Sequence, residues 1–117
     1  MKTIQPSVEQ HFEGKSTAVR STYDRLLRAV GKFGKFEEDP KKTSIHLVHR
    51  TAFAGVATRN AALILTLKSG RDIKSKRIHK HEQASAGRWH LEVRIERAAE
   101  VDRELIGWLR AAYELSG

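Results

Sequence analysis

The amino-acid sequence predicts an α+β fold, a four-stranded antiparallel sheet with two helices packed on one face, in the order α-β-β-β-β-α. Apolar residues recur at three- and four-residue steps near both ends of the chain, and at alternate positions between them. The composition is that of a globular protein, with 39% hydrophobic and 31% charged residues. We therefore expect a single domain over 1–117, with its core at about 8–115.

A short helical turn and a long helix are predicted before the sheet. Ser7 and Gln10 have the S-x-x-Q spacing of a capping box, which predicts one turn over 8–12. The long helix is predicted at about 16–33, and Gly34 can end it because glycine tolerates positive φ. Its apolar stripe consists of Val19, Tyr23, Leu26, Leu27, Val30 and Phe33. Its solvated faces carry Arg20, Arg25, Arg28 and Lys32.

Four strands are predicted after an acidic turn at 37–40. The first begins at Ile45, where the apolar period changes to two. The second, 51–58, is rich in alanine and glycine. The third, 61–68, is apolar on both faces, which is typical of a central strand covered on both sides. The fourth, 88–96, alternates apolar and polar residues, and its apolar side chains are expected to face the core.

A second helix is predicted at about 99–115. Its inward stripe consists of Val101, Leu105, Trp108, Leu109 and Ala112. Glu100 and Asp102 fall in its first turn, where negative charge is favourable to the helix dipole.

Several segments are distinctive: Val8-Glu9-Gln10-His11-Phe12-Glu13-Gly14-Lys15, Pro40-Lys41-Lys42-Thr43, Glu100-Val101-Asp102-Arg103-Glu104-Leu105, and Trp108-Leu109 with Ala112-Tyr113. Together they resemble an uncharacterised bacterial family of small domains of unknown function, found alone or fused to other domains. The resemblance runs from about Val8 to Tyr113 and implies a helix, four strands and a helix. Members of that family tend to keep a phenylalanine at the position of Phe53 and a histidine at that of His90. The resemblance implies no reaction.

The positive charge of the chain is concentrated in one segment. The chain has 22 Lys and Arg against 14 Asp and Glu, a net charge of +8. Residues 68–88 hold seven bases and two acids, so a predicted loop at 69–87 lies within a segment of net charge +5. Such a loop can bind a polyanion, with a nucleic-acid backbone favoured, by counterion release; the alternative is a solvated loop that aids solubility. The candidate anion-binding residues are Arg71, Lys74, Lys76, Arg77, Lys80 and Arg88.

A second candidate site follows from strand parity, that is, from the alternation of successive side chains between the two faces of a strand. If Ile45 and Leu47 face the helices, then the alternate side chains lie on the opposite, open face of the sheet. The predicted ligand pocket for a phosphate or carboxylate comprises Lys42, His46, Arg50, His90 and Arg94. Two alternatives are a solvated face with cross-strand Arg–Glu pairs, and a homodimer interface made apolar by Val48, Ala62 and Ile64.

The sequence excludes several classes of site. It contains no cysteine, which excludes disulfides, zinc–thiolate sites and thiolate nucleophiles. No nucleophile elbow or phosphate loop is present, and His79 and His81 lack further ligands at a fixed spacing. We therefore predict no metal and no cofactor, and favour a non-catalytic binding module. An enzyme built on His46, Arg50 and His90 is the weaker alternative. The absence of a signal peptide or long apolar segment predicts a cytoplasmic protein.

Overall fold

The computed structural model describes residues 5–117 and has an α+β fold in which six strands, not four, form one antiparallel sheet. Two short 3-10 turns precede the helices, at Glu9–Phe12 and Ala98–Glu100. The other elements are α1 (Thr17–Gly31), β1 (Glu37–Pro40), β2 (Ile45–Val48), β3 (Ala52–Thr58), β4 (Leu63–Ser69), β5 (Ile78–Ser85), β6 (Arg88–Ile95) and α2 (Arg103–Leu115). The strand order is β1-β2-β3-β4-β6-β5. The predicted α+β class and its two helices are confirmed, and the predicted number of strands is wrong.

The two strands that the sequence did not predict are the edges of the sheet. Strand β1 occupies the predicted acidic turn, and β5 lies inside the predicted loop 69–87. None of the four β1 residues is buried, and β5 buries only Ile78. Backbone hydrogen bonds to β2 and β6 hold these strands in the sheet. Because their side chains bury almost nothing, the two segments show no apolar alternation in the sequence. The predicted loop therefore shrinks to a connection at 70–77, called here the crossover, and a hairpin turn at Ala86 and Gly87.

The crossover runs back along the sheet. Strands β4 and β5 point in the same direction because each is antiparallel to β6, which lies between them. The crossover passes on the helix-covered side, where Ile73 packs against the core. There Asp72 Oδ1 lies 2.5 Å from Nδ1 of His81, whose strand partner is the buried Leu91. The segment is thereby tied to the sheet that it crosses.

One hydrophobic core lies between the helices and the sheet. The helices contribute Tyr23, Leu26, Val30, Leu105, Leu109 and Ala112, which repeat at helical spacing. The sheet contributes Ile45, Leu47, Val56, Leu63, Leu65, Leu67, Leu91, Val93 and Ile95, which alternate along their strands. Both helices therefore cover the same face, and the other face is open. Neither helix has the length and apolar content to cross a membrane, as judged over 5–117.

The helix ends show how local sequence fixes the boundaries. The predicted capping box is confirmed: the Ser7 N–H donates to Gln10 Oε1 at 2.9 Å, and the Gln10 N–H donates to Ser7 Oγ at 3.2 Å. The predicted second helix is divided into a 3-10 turn and α2. Asp102 is the N-cap of α2, and its Oδ1 accepts a hydrogen bond from the Leu105 N–H at 3.0 Å. Glycine is required at Gly34, where φ is +147° and the Tyr113 hydroxyl approaches closely.

Candidate functional site

The open face of the sheet mixes basic, acidic and small side chains. Its cross-strand neighbours on β4 and β6 are Lys68 with His90, Thr66 with Glu92, and Ile64 with Arg94. Strand β5 adds Lys80 opposite Glu92, and Glu82 opposite His90. This half of the face, next to β5, thus carries the basic residues that flank the crossover.

Part of the charge on the open face is neutralised within it. The Glu92 carboxylate lies 3.1 Å from His79 Nε2 and 3.9 Å from Lys80 Nζ. The Arg94 guanidinium has Glu96 at 3.5 Å. The basic members of these pairs are about half exposed, so each pair stabilises the fold only weakly and stays open to competition from an external anion.

Arg77, a predicted anion-binding residue, is already bound within the protein. Its Nη1 donates to Asp102 Oδ1 at 2.9 Å and to Glu104 Oε1 at 3.1 Å, and its Nη2 donates to the Glu100 carbonyl at 2.7 Å. The guanidinium also lies 5.7 Å from the ring centre of Trp108. Partial burial lowers the pKa of Arg77, but the hydrogen bonds to the two carboxylates more than offset this, so its pKa is raised. Arg77 therefore clamps the crossover to the start of α2.

The other candidate anion-binding residues of this segment have a weak carboxylate partner or none. Arg71, Lys76 and Arg88 have no carboxylate within 4.0 Å in the described part of the chain. Lys74 lies 3.6 Å from Asp72, but 92% of its side chain is exposed. We call these four residues, together with Lys80, the crossover patch, because they belong to the crossover and to the two strands beside it.

The predicted ligand pocket is only partly assembled. His46 and His90 line one shallow cavity of about 290 Å³ together with Thr66 and Lys68. Small residues of β3 line it, and a Cβ at the position of Gly55 would lie 3.9 Å from the His46 ring. A small anion could contact a lysine and two imidazoles there.

The other three predicted pocket residues lie elsewhere. Lys42 borders a separate cleft beside His11. Arg94 borders a cleft with Lys76 at the far end of β4. Arg50 lies beyond the end of β2, in the turn before β3, so strand parity does not apply to it. The five residues do not form one site.

The histidine pair at 79 and 81 is divided between two carboxylates. His79 contacts Glu92, and His81 contacts Asp72. The hydrogen bond from His81 is the main reason that the pKa of Asp72 lies below its usual value. Within 5–117, no group of three or more His, Cys, Asp or Glu side chains could hold a metal ion.

Sequence reasoning missed a cationic cleft between the two helices. Its basic side chains come from Arg25, Arg28 and Lys32 of the α1 region and Arg110 of α2. The spacing of the first three, at i, i+3 and i+7, places them on one helix face. That spacing was the only signal in the sequence, because the approach of α2 to this face depends on tertiary packing.

A family model described as a domain of unknown function (DUF5655) matches residues 8–116. The chain belongs to this family. No curated protein and no solved structure matches it. The match spans every helix and strand of the DUF5655 domain described above, so the crossover, the open face and the interhelical cleft all lie within it. The predicted resemblance to a family of unknown function is confirmed, whereas the four strands expected with it are corrected to six.

Proposed function

We propose that this DUF5655 domain is a non-catalytic binding module with an anionic partner, and that a nucleic-acid backbone is the favoured partner. The observation that carries the proposal is the crossover patch, where Arg71, Lys76 and Arg88 lack a carboxylate within 4.0 Å among the described residues. Lys74 and Lys80 add two more exposed charges with weak partners. A surface of this kind releases counterions when it meets phosphates.

Binding through this patch favours phosphates over bases. The large aromatic side chains at the sheet and helices are engaged in packing: Phe53 and Tyr23 are fully buried, and Trp89 and Trp108 are half-buried against the core. A protein that recognises a base sequence by stacking needs exposed aromatic rings on which the bases can lie. We therefore expect weak sequence preference and a strong dependence on salt, with three phosphate contacts giving a log–log slope of roughly −3 on duplex DNA.

The test is a titration of labelled duplex DNA, single-stranded DNA and RNA at two salt concentrations. The triple variant Arg71→Glu, Lys76→Glu, Arg88→Glu reverses the unpaired charges of the patch. The matched control reverses Lys35, Arg59 and Arg103, which are exposed, and lowers the net charge of +8 by the same amount. Arg77 is left unchanged in both because it is part of the fold.

The proposal predicts that binding is lost in the patch variant and largely kept in the control. Equal losses in both variants would show that bulk charge alone drives the association. Absence of binding by the wild-type protein at low salt would refute the proposal outright.

A second candidate is a homodimer through the open face. Strand β4 is central in the sheet and has the helices on one side only, and its Ile64 lies beside Ala57 of β3. A central strand of this kind favours a cover on its second face. Ala62, predicted to join that interface, is instead 1% exposed within the single chain. Light scattering at high protein concentration tests this candidate, and a strict monomer would exclude it.

The proposal also covers the source and cellular location of the protein. We infer a bacterial, cytoplasmic protein whose domain occurs alone or fused to others. The absence of cysteine is compatible with a reducing compartment.

A further inference from the structure

The interhelical cleft brings together four basic side chains over an apolar floor. Arg25, Arg28 and Lys32 line one wall, and Arg110 of α2 lines the other. Ala29, Phe33 and Ile106 form the floor, and the volume is about 310 Å³. Because α1 and α2 cover the sheet from one side, the cleft is a separate surface from the open face.

The charge in the cleft is not compensated by the protein. None of its four basic residues has a carboxylate within 4.0 Å in the described chain. Arg20, on another face of α1, is by contrast paired with Asp24 at 3.2 Å. Four like charges across one groove repel one another unless an anion is bound between them.

Favourable interactions with helix dipoles explain the positions of only two of these four basic residues. Arg28 lies in the last turn of α1 and Lys32 is its C-cap, where positive charge is favourable. Arg25 and Arg110 lie inside their helices, at some distance from either end. Their placement is therefore not explained by local helix stability.

The apolar floor indicates the kind of anion that fits. The Arg110 guanidinium lies 4.8 Å from the ring centre of Phe33, a stacking contact that orients its donor groups. Phe33 and Ile106 are partly exposed in the cleft, and an inorganic ion would leave this apolar surface unused. The volume is at the lower end of the roughly 300–1,000 Å³ typical of small-molecule sites.

We propose that the interhelical cleft binds an organic polyphosphate, with its phosphates held by Arg25, Arg28, Lys32 and Arg110 and its planar apolar part resting on Ile106 and on the part of Phe33 that Arg110 does not cover. Arginine forks suit phosphate oxygens, and the four positive charges match the charge of a di- or triphosphate. This site is independent of the crossover patch and does not rest on the nucleic-acid proposal.

The experiment uses the full chain with ATP, inorganic tripolyphosphate and adenosine as probes, followed by calorimetry and by amide chemical shifts. We expect ATP to bind more tightly than tripolyphosphate, and adenosine alone not to bind. Shift changes should cluster at 25–33 and 106–110. The double variant Arg28→Ala, Arg110→Ala should weaken ATP binding at least about tenfold, which is about 1.4 kcal/mol.

Two controls make the result specific. Arg20→Ala with Arg103→Ala removes the same charge from the same two helices outside the cleft, and should leave ATP affinity within about twofold, less than 0.5 kcal/mol. The crossover-patch triple variant should also keep ATP binding, so failure here and failure of the proposed function are distinguishable. Thermal unfolding checks that each variant is folded, and Arg25→Gln with Lys32→Gln provides a second cleft variant.

Four outcomes would overturn the proposal. They are an absence of saturable ATP binding, shifts confined to 68–88, equal losses in cleft and control variants, and equal affinities for ATP and tripolyphosphate. Binding of an acidic peptide but not of ATP would assign the cleft to a protein partner instead.

Discussion

Replacing Arg77 by alanine should destabilise the domain, because this side chain holds the crossover to α2. The partly exposed ion pairs of Arg77 with Asp102 and with Glu104 each contribute roughly 0.2–1 kcal/mol to the free energy of unfolding. The hydrogen bond to the Glu100 carbonyl, 2.7 Å long, adds about 1 kcal/mol. We therefore expect a loss of about 2 kcal/mol in the free energy of unfolding, or roughly 8 °C in Tm for a domain of this size.

The assay is urea and thermal unfolding followed by circular dichroism at pH 7. Arg77→Lys keeps the charge without the planar fork and should lose about half as much, near 1 kcal/mol. The neighbouring Lys76, which is exposed, gives the control Lys76→Ala, expected within about 0.5 kcal/mol of the wild type. If Arg77→Ala unfolds with the same Tm as Lys76→Ala, the clamp contributes nothing. If it keeps its stability but no longer binds nucleic acid, Arg77 belongs to the binding surface instead.

Three further changes have defined expected results. Gly34→Ala should cost about 1–3 kcal/mol, because φ there is +147° and a Cβ would lie 2.6 Å from the Tyr113 hydroxyl oxygen; thermal unfolding measures it. Gly107→Ala, where a helical Cβ would meet open space, should instead raise stability by up to about 1 kcal/mol in the same assay. The hydrogen bond from His81 lowers the pKa of Asp72. The stabilisation of the fold by the ionised Asp72 is therefore fully present above the ordinary carboxyl pKa of about 3.9, and it is lost as pH falls through the lowered pKa. Asp72→Asn should flatten that acid limb of a stability–pH curve, and an unchanged limb would count against the assignment.

Strands that bury one face were predictable from sequence, and strands exposed on both faces were not. Alternation at Ile45 and Leu47 locates β2, and the predicted strand at 88–96 corresponds to β6 at Arg88–Ile95. Strand β1 reads Glu-Glu-Asp-Pro and β5 is polar after Ile78. Periodicity reports burial, and an edge strand can form a full hydrogen-bonded ladder while burying almost nothing. The prediction of one loop over 69–87 was wrong for this reason.

The candidate sites show the same division. Strand parity places His46 and His90 on the open face, where both line one cavity. The same alternation was applied to Arg50, but β2 ends at Val48. Beyond the end of a strand, side chains no longer alternate between two faces, so the face of Arg50 could not be predicted in this way. The cleft between the helices could not be predicted, because an apolar stripe shows which side of a helix is buried but not which flank meets another helix.

The β1 edge of the sheet is acidic, and the crossover beside the opposite edge, β5, is basic. Strand β1 consists of three acids and a proline, whereas β5 and the crossover beside it are rich in lysine, arginine and histidine. Five interstrand spacings of about 4.8 Å separate these edges by roughly 24 Å. Lys41 pairs with Asp39 at 2.9 Å and so offsets part of the acidic charge of β1, whereas Arg71 and Lys76 of the crossover have no such partner among the described residues. A polyanion is attracted to the crossover and repelled by the acids of β1, so encounters are biased in orientation before any contact is made.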